Sequence, residues 1–192
     1  MPYLKVLVEG YAKKLKNGWE GNSTCVFLQN EGNFVVIDPG MDEKALIMAL
    51  KNEGIKKERI DYVFLTHYHI DHMLNVTLFK NAAIVDGYYV YEGRKGTEHD
   101  GVIFGKDVEI VHTPGHTPEH SSLFVNIEGK KYAVAGDAIW WYGKREENLI
   151  NLPDPFAYDM PMLLKSREKI IKKADYIIPG HGKMMKISSP KF

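Results

Sequence analysis

Cysteine is nearly missing from this chain: Cys25 is the only one in 192 residues. An internal disulfide is therefore excluded, and a reducing, cytoplasmic setting is the expectation. Net charge is missing as well, since 25 basic and 25 acidic residues cancel. No overall field draws the protein to nucleic acid or to a membrane surface. The lysines at 13, 14 and 16 and at 172 and 173 form local clusters, which read as solvated surface. No apolar run approaches the ~18 residues of a membrane span, and residues 1–5 do not resemble a signal peptide. Short-period repeats and low-complexity tracts are also lacking. What is present is ordinary for a globular protein, 44% hydrophobic and 26% charged. A chain of this size reads as one domain, 1–192, able to bury roughly 70% of its unfolded surface.

Hydrophobic patterning alternates strands with helices. Residues 4–8 alternate like a half-buried strand, and 24–28 and 34–37 flank Asn30-Glu31-Gly32-Asn33 as a hairpin. Asp38-Pro39-Gly40 closes it. A helix follows with Asp42 as its N-cap; Ala45, Leu46, Ala49 and Leu50 face inward, and Gly54 ends it. Residues 62–65 form a buried strand, with a short helix from about His72 to Phe79. Further strands fall at 108–111, 122–125, 132–135 and 176–178, the middle two joined by a turn at 128–130. A last amphipathic helix begins near Asp159, with Pro161 in its first turn and Leu163, Leu164, Ile170 and Ile171 inward. Layers of strands with helices outside are the simplest packing.

The densest chemistry lies in Thr66-His67-Tyr68-His69-Ile70-Asp71-His72, where four metal-ligand side chains occupy six positions. Extended backbone sends residues i and i+2 to one side, so His67 and His69 can chelate one ion; on a helix they would stand about 200° apart. Asp71 and His72 lie one step on, where a chain turning into a helix directs them at a second ion. Imidazole and carboxylate donors suit zinc, iron or manganese. Three later segments repeat a pattern of strand, then glycine-flanked polar residue: Thr113-Pro114-Gly115-His116-Thr117, Gly136-Asp137, and Pro179-Gly180-His181-Gly182. Each is weak alone, since an isolated turn histidine is more often surface than ligand. Beside the four-ligand motif they read as the missing donors.

Taken in order, these motifs resemble the metallo-β-lactamase superfamily over nearly the whole chain, and within it the compact glyoxalase II-related hydrolases. The resemblance implies an α/β fold, an αβ/βα sandwich of four layers with a two-metal site at one edge of its sheets. It implies His67, His69 and His116 around a first ion, Asp71, His72 and His181 around a second, Asp137 bridging both, and Asp38 orienting the histidine loop. Two divalent ions, Zn²⁺ first and Fe or Mn next, are the expected cofactors. The expected enzyme is a metal-dependent hydrolase using a metal-bound hydroxide on a small ester, thioester or related anionic substrate, with Asp71 as proton acceptor. A phosphodiesterase or ribonuclease of the same fold is the alternative, and a mononuclear iron persulfide dioxygenase the second.

Other residues invite weaker readings. His112 and His120 flank His116 and read as supporting or surface groups, and His99 as exposed loop. Trp140-Trp141-Tyr142 reads equally as a substrate wall, core packing or a contact in a homodimer. Tyr88-Tyr89-Val90-Tyr91 is expected on the pocket rim. Lys144 and Arg145 read as solvated loop or as contacts to a substrate anion. The expected partner is a small molecule, with single-stranded nucleic acid as the alternative and no membrane.

Overall fold

Alternating apolar residues in a strand buried on both faces split into two cores, and this chain uses that rule throughout. The computed structural model describes residues 1–143 and 148–187. Its elements are β1 (Tyr3–Val8), β2 (Tyr11–Leu15), β3 (Gly18–Asn22), β4 (Cys25–Asn30), β5 (Asn33–Ile37), α1 (Glu43–Asn52), β6 (Tyr62–Phe64), α2 (Ile70–Met73), β7 (Ala83–Val85), β8 (Tyr89–Glu92) and β9 (Lys95–Glu98). The second half contributes β10 (Val108–His112), β11 (Ser121–Ile127), β12 (Lys130–Gly136), α3 (Met160–Lys173), β13 (Tyr176–Pro179) and β14 (Met185–Lys186). One sheet has the order β1-β4-β5-β6-β7-β8-β9, the other β10-β11-β12-β13-β14, and β2-β3 stand as a separate hairpin.

Val26, Leu28, Val35, Ile37 and Phe64 meet Val108, Leu123, Val125, Val134 and Ile178 between the two sheets. Their sequence neighbours turn outward. Cys25, Phe27, Val36, Val63 and Leu65 pack under Leu46 and Leu50 of α1. Phe124, Ala133, Ala135 and Ile177 pack under Leu163 and Ile170 of α3. The layers are therefore helix, sheet, sheet, helix. Burying each large apolar side chain contributes about 1.5–3 kcal/mol. Both long helices start where their caps dictate: Asp42 accepts from the Ala45 amide and Asp159 from the Met162 amide, with Pro161 in the first turn. No helix of the described residues is long and apolar enough to cross a membrane.

Three local expectations change. The β2-β3 and β8-β9 hairpins were not foreseen, because their largely exposed strands lack an apolar alternation facing a core. The helix expected from His72 begins at Ile70, and its later part is a 3-10 turn, Leu74–Leu78. Strand β6 stops at Phe64, so His67 and His69 lie in the bend beyond it.

Parallel pairing of β5 with β6 and of β12 with β13 brings their C-terminal ends to one edge. Strand β10 runs the same way as β12, both being antiparallel to β11. The loops carrying Asp38, the histidine motif, His116, Asp137 and His181 thus emerge together. Backbone hydrogen bonds stitch the sheets there: Ser121 N to Thr66 O at 2.9 Å, Thr24 N to Gly180 O at 2.7 Å, and Gly182 N to Gly10 O at 2.9 Å.

Candidate metal centre

The structure brings all seven expected donors to this edge. His67, His69, His116 and Asp137 form one group, and Asp71, His72 and His181 another; within each group the donor atoms lie within 4.8 Å of one another. Asp137 faces both. Its Oδ2 is 3.4 Å from His116 Nε2 and 4.0 Å from His67 Nε2, while its Oδ1 is 3.2 Å from His72 Nε2 and 3.5 Å from His181 Nε2. His181 Nε2 also lies 3.3 Å from Asp71 Oδ2, and His116 Nε2 lies 3.0 Å from His69 Nδ1.

Hydrogen bonds on the far side of each ring fix which nitrogen looks inward. His72 Nδ1 donates to Asp38 Oδ2 at 2.9 Å, and His181 Nδ1 to the carbonyls of Tyr11 and Asn22 at 3.1 and 3.0 Å. Thr66 Oγ1 donates to Asp38 Oδ2 at 2.7 Å, so it accepts from His67 Nδ1 at 3.0 Å. His116 Nδ1 donates to Asp154 Oδ2 at 2.7 Å. In all four rings Nε2 is turned toward Asp137. Among the described residues, His67 Nε2, His72 Nε2 and Asp137 Oδ1 are buried without a hydrogen-bond partner. Buried polar atoms are rarely orphaned, so three at one point call for a cation.

Protonation follows the same logic. Burial disfavours a charged His72, but Asp137 and Asp38 overcome it and hold the imidazole well above its ordinary range. Burial also opposes charge on His181, and Asp137 and Asp71 nonetheless raise it to about 9. Asp137 is held well below the usual carboxylate range because His181 and His72 outweigh its burial. The protons on these rings compensate carboxylates that a metal would otherwise neutralise. His67, with its ring fully enclosed, is pushed well below its usual value by burial and by His72.

Backbone geometry protects the cluster. Asp38 sits at φ 47°, where its carboxylate reaches Thr66 N at 2.9 Å as well as the Thr66 hydroxyl and His72. Gly180 lets the β13 loop pass against Asp137: a Cβ there would fall 1.8 Å from Asp137 Oδ1. Gly180→Ala should therefore displace the shared carboxylate and lower metal content below that of the wild type. Elemental analysis of the purified variant checks this, and full metal content would count against the arrangement.

His120 is a buried support: its Nδ1 pairs with Thr113 Oγ1 at 2.9 Å and its Nε2 accepts from Ala138 N at 3.2 Å, fixing the loop after Asp137. Burial lowers its pKa to about 3. An unfolded chain takes up this proton as pH falls below about 6.5, whereas the folded chain does not. Its contribution is complete above pH 6.5 and declines by about 1.4 kcal/mol per unit down to the folded value. His120→Gln should flatten the acid limb of a stability-versus-pH curve, and an unchanged slope would refute the assignment.

Two expectations need correction, and a third resolves between its alternatives. Tyr88 to Tyr91 do not line the cavity at the centre: Tyr88 stacks on His112, and Tyr91 donates to Asp86 at 2.9 Å. His99 is half-buried, with its ring on Asp86 O at 3.0 Å and accepting from Gly101 N. Within Trp140-Trp141-Tyr142 the roles divide, Trp140 and Tyr142 facing the cavity and Trp141 joining the α3 core. His112 is partly exposed and pairs with Ser121 Oγ at 3.1 Å. Lys144 and Arg145 lie outside the described residues. Trp19, Phe156, Asp154 and Arg167 were missed. Arg167 had a legible signal, since a charged residue stands midway between Leu163 and Ile170 on the apolar stripe of α3; Trp19 and Phe156 had none.

A four-layer αβ/βα sandwich carrying seven converging histidine and aspartate donors at one sheet edge defines a metallohydrolase-type scaffold, and the chain belongs to the metallo-beta-lactamase superfamily. The description of that superfamily matches residues 18–104 and 93–181. Metallo-beta-lactamase domain-containing protein 1 of Xenopus laevis is 30% identical over 194 residues, covering 92% of this chain and 78% of that one. An N-acyl homoserine lactonase from a Bacillus species is 25% identical over 203 residues, covering 82% and 80%. A putative metallo-beta-lactamase from Thermotoga maritima superposes with a TM-score of 0.74 at 22% identity, covering 96% and 99%, a likeness of fold.

Proposed function

We propose that the chain is a binuclear, metal-dependent hydrolase of small carboxylic esters, thioesters or lactones with an apolar or aromatic portion. The observation that carries this is a cavity of about 180 Å³ opening directly on the donor cluster. His69, Asp71, Asp137 and His181 form its floor, and Ala12, Trp19, Ile70, Trp140, Tyr142 and Phe156 its walls. No lysine or arginine lines it among the described residues, so binding rests on apolar contact and shape. The similarity to a lactonase supports a carbonyl substrate.

His67, His69 and His116 would hold one ion, Asp71, His72 and His181 the other, and Asp137 would bridge them, with zinc the first choice for this donor set. Held by these residues, divalent ions would polarise a carbonyl and lower the pKa of water. The chain's own residues do the rest. Trp140 and Phe156, with ring centroids 6.0 Å apart, and Trp19, which also lines the cavity, would hold the apolar part and exclude water. Asp71 borders the cavity, and its pKa is lowered because His181 and His72 outweigh burial, so it is ionised and accepts the proton released as water adds.

A panel of esters, thioesters and lactones assayed on metal-reconstituted protein tests this, with single-stranded RNA alongside. Phe156→Ala should raise KM for aryl or long-acyl esters by roughly tenfold, equivalent to about 1.4 kcal/mol of lost apolar contact, and alter acetate esters little. Exposed Trp19 and the lysines of the β2-β3 hairpin favour single-stranded nucleic acid as the second reading. RNA cleavage with a steep salt dependence and no ester hydrolysis would establish that reading instead. A single redox-active iron per chain would point to the dioxygenase.

A further inference from the structure

One buried carboxylate close to the cluster belongs to neither donor group. Asp154 lies between Pro153 and Pro155, with its side chain wholly enclosed. Its Oδ2 accepts from His116 Nδ1 at 2.7 Å and from Trp140 Nε1 at 3.0 Å, and its Oδ1 accepts from Phe156 N at 3.0 Å. Three groups with different tasks, a metal donor and two pieces of cavity wall, therefore meet on one side chain.

A buried carboxylate is costly unless its charge is compensated. Arg167 supplies the compensation from α3, with Nη2 3.9 Å from Asp154 Oδ2. The guanidinium is itself enclosed and strapped to the surrounding loops, its Nε donating to Ala138 O at 2.7 Å and its Nη1 to Leu152 O at 2.6 Å. Loop geometry alone does not require this arrangement, since a neutral side chain would fill the same space without a desolvation penalty. What the charge adds is a strong acceptor that keeps the His116 proton on Nδ1 and turns Nε2 toward Asp137.

We infer that Asp154 is a positioning residue, which fixes His116 as a metal donor and joins it to the Trp140 and Phe156 wall through shared hydrogen bonds. The inference rests on the reading of the cluster as a metal centre. Its consequence is selective. His116 belongs to the group with His67, His69 and Asp137, so loss of Asp154 weakens the ion held there. The ion at Asp71, His72 and His181 has a different support, Asp38 on His72 and two carbonyls on His181, and is spared.

The test is competition for Zn²⁺ against a chromophoric chelator, using the full chain as wild type, Asp154→Ala, Asp154→Asn and Trp140→Phe. Wild type should take up two ions. Asp154→Ala should bind one of them 10–100-fold more weakly and the other unchanged, the usual effect of losing a histidine's outer partner. Asp154→Asn, which retains an acceptor without the charge, should fall between. Trp140→Phe keeps the Asp154–His116 bond and should leave both affinities at the wild-type value. Thermal melts of the metal-free proteins isolate any purely structural effect, and Asp154→Asn carries the test if Asp154→Ala does not fold. Wild-type affinity for both ions in Asp154→Asn and Asp154→Ala overturns the inference, as does equal weakening of both in step with a lowered Tm. A wild type that binds no zinc would instead bring down the metal-centre reading beneath it.

Discussion

Stripping divalent metal from the protein with a chelator should abolish hydrolysis and lower Tm by roughly 10 °C. The stability figure follows from mass action, because a ligand present at a thousand times its Kd stabilises the folded state by about 4 kcal/mol. For a chain of this length each kcal/mol moves Tm by about 2–4 °C. The structural reason is the polar chemistry of the cluster. Two imidazole nitrogens and a carboxylate oxygen are buried there without a hydrogen bond among the described residues, and the loops that carry them come from both sheets. The same carboxylates favour charge on His72 and His181, so the cluster attracts positive charge. Activity should return with Zn²⁺, with Fe²⁺ and Mn²⁺ as comparison ions. Chelated protein that melts at the untreated temperature and turns over at full rate would defeat the metal-dependent reading.

Asp71→Ala should reduce kcat on the order of 10³-fold at matched metal content, within the range for a lost proton-transfer group. Asp71 Oδ2 approaches His181 Nε2, and the residue also borders the cavity, so its removal affects both a donor group and the proton acceptor. His120→Gln provides the contrast. That ring touches the Ala138 amide and Thr113 but does not line the cavity, so its cost should appear as stability, with kcat close to wild type once the protein is folded and loaded. Equal losses of kcat in the two variants would show that one of them has been given the wrong role.

Legibility differed sharply from element to element. The β4-β5 hairpin was readable because Asn30-Glu31-Gly32-Asn33 places glycine, which tolerates positive φ, at the tip, where Glu31 and Gly32 both adopt it. Helices α1 and α3 announced themselves through Asp42, Asp159 and Pro161, which satisfy or forgo the first amides locally. The β2-β3 and β8-β9 hairpins left no comparable trace, since strands that bury almost nothing need no apolar alternation. The tyrosines at 88, 89 and 91 illustrate the converse error. Aromatic residues suggested a pocket rim, yet their hydroxyl and ring partners, Asp86 and His112, lie elsewhere.

The sequence by itself determined the layering and named the candidate donors. Period-two burial assigns Val26 and Leu28 to one core and Cys25 and Phe27 to the other, and each ligand-type residue stands in a turn shortly after a strand. Those are local rules, acting over a few residues of backbone. Only the tertiary structure decided how the donors are supported and what faces them. Asp154 lies 38 positions from His116, and Trp19 reaches the cavity from a hairpin far along the chain from Trp140 and Phe156. Arg167 finds its partners on loops 15 to 29 positions away. No periodicity links such residues. They meet because two sheets pack face to face and bring loops from opposite halves of the chain to a common edge.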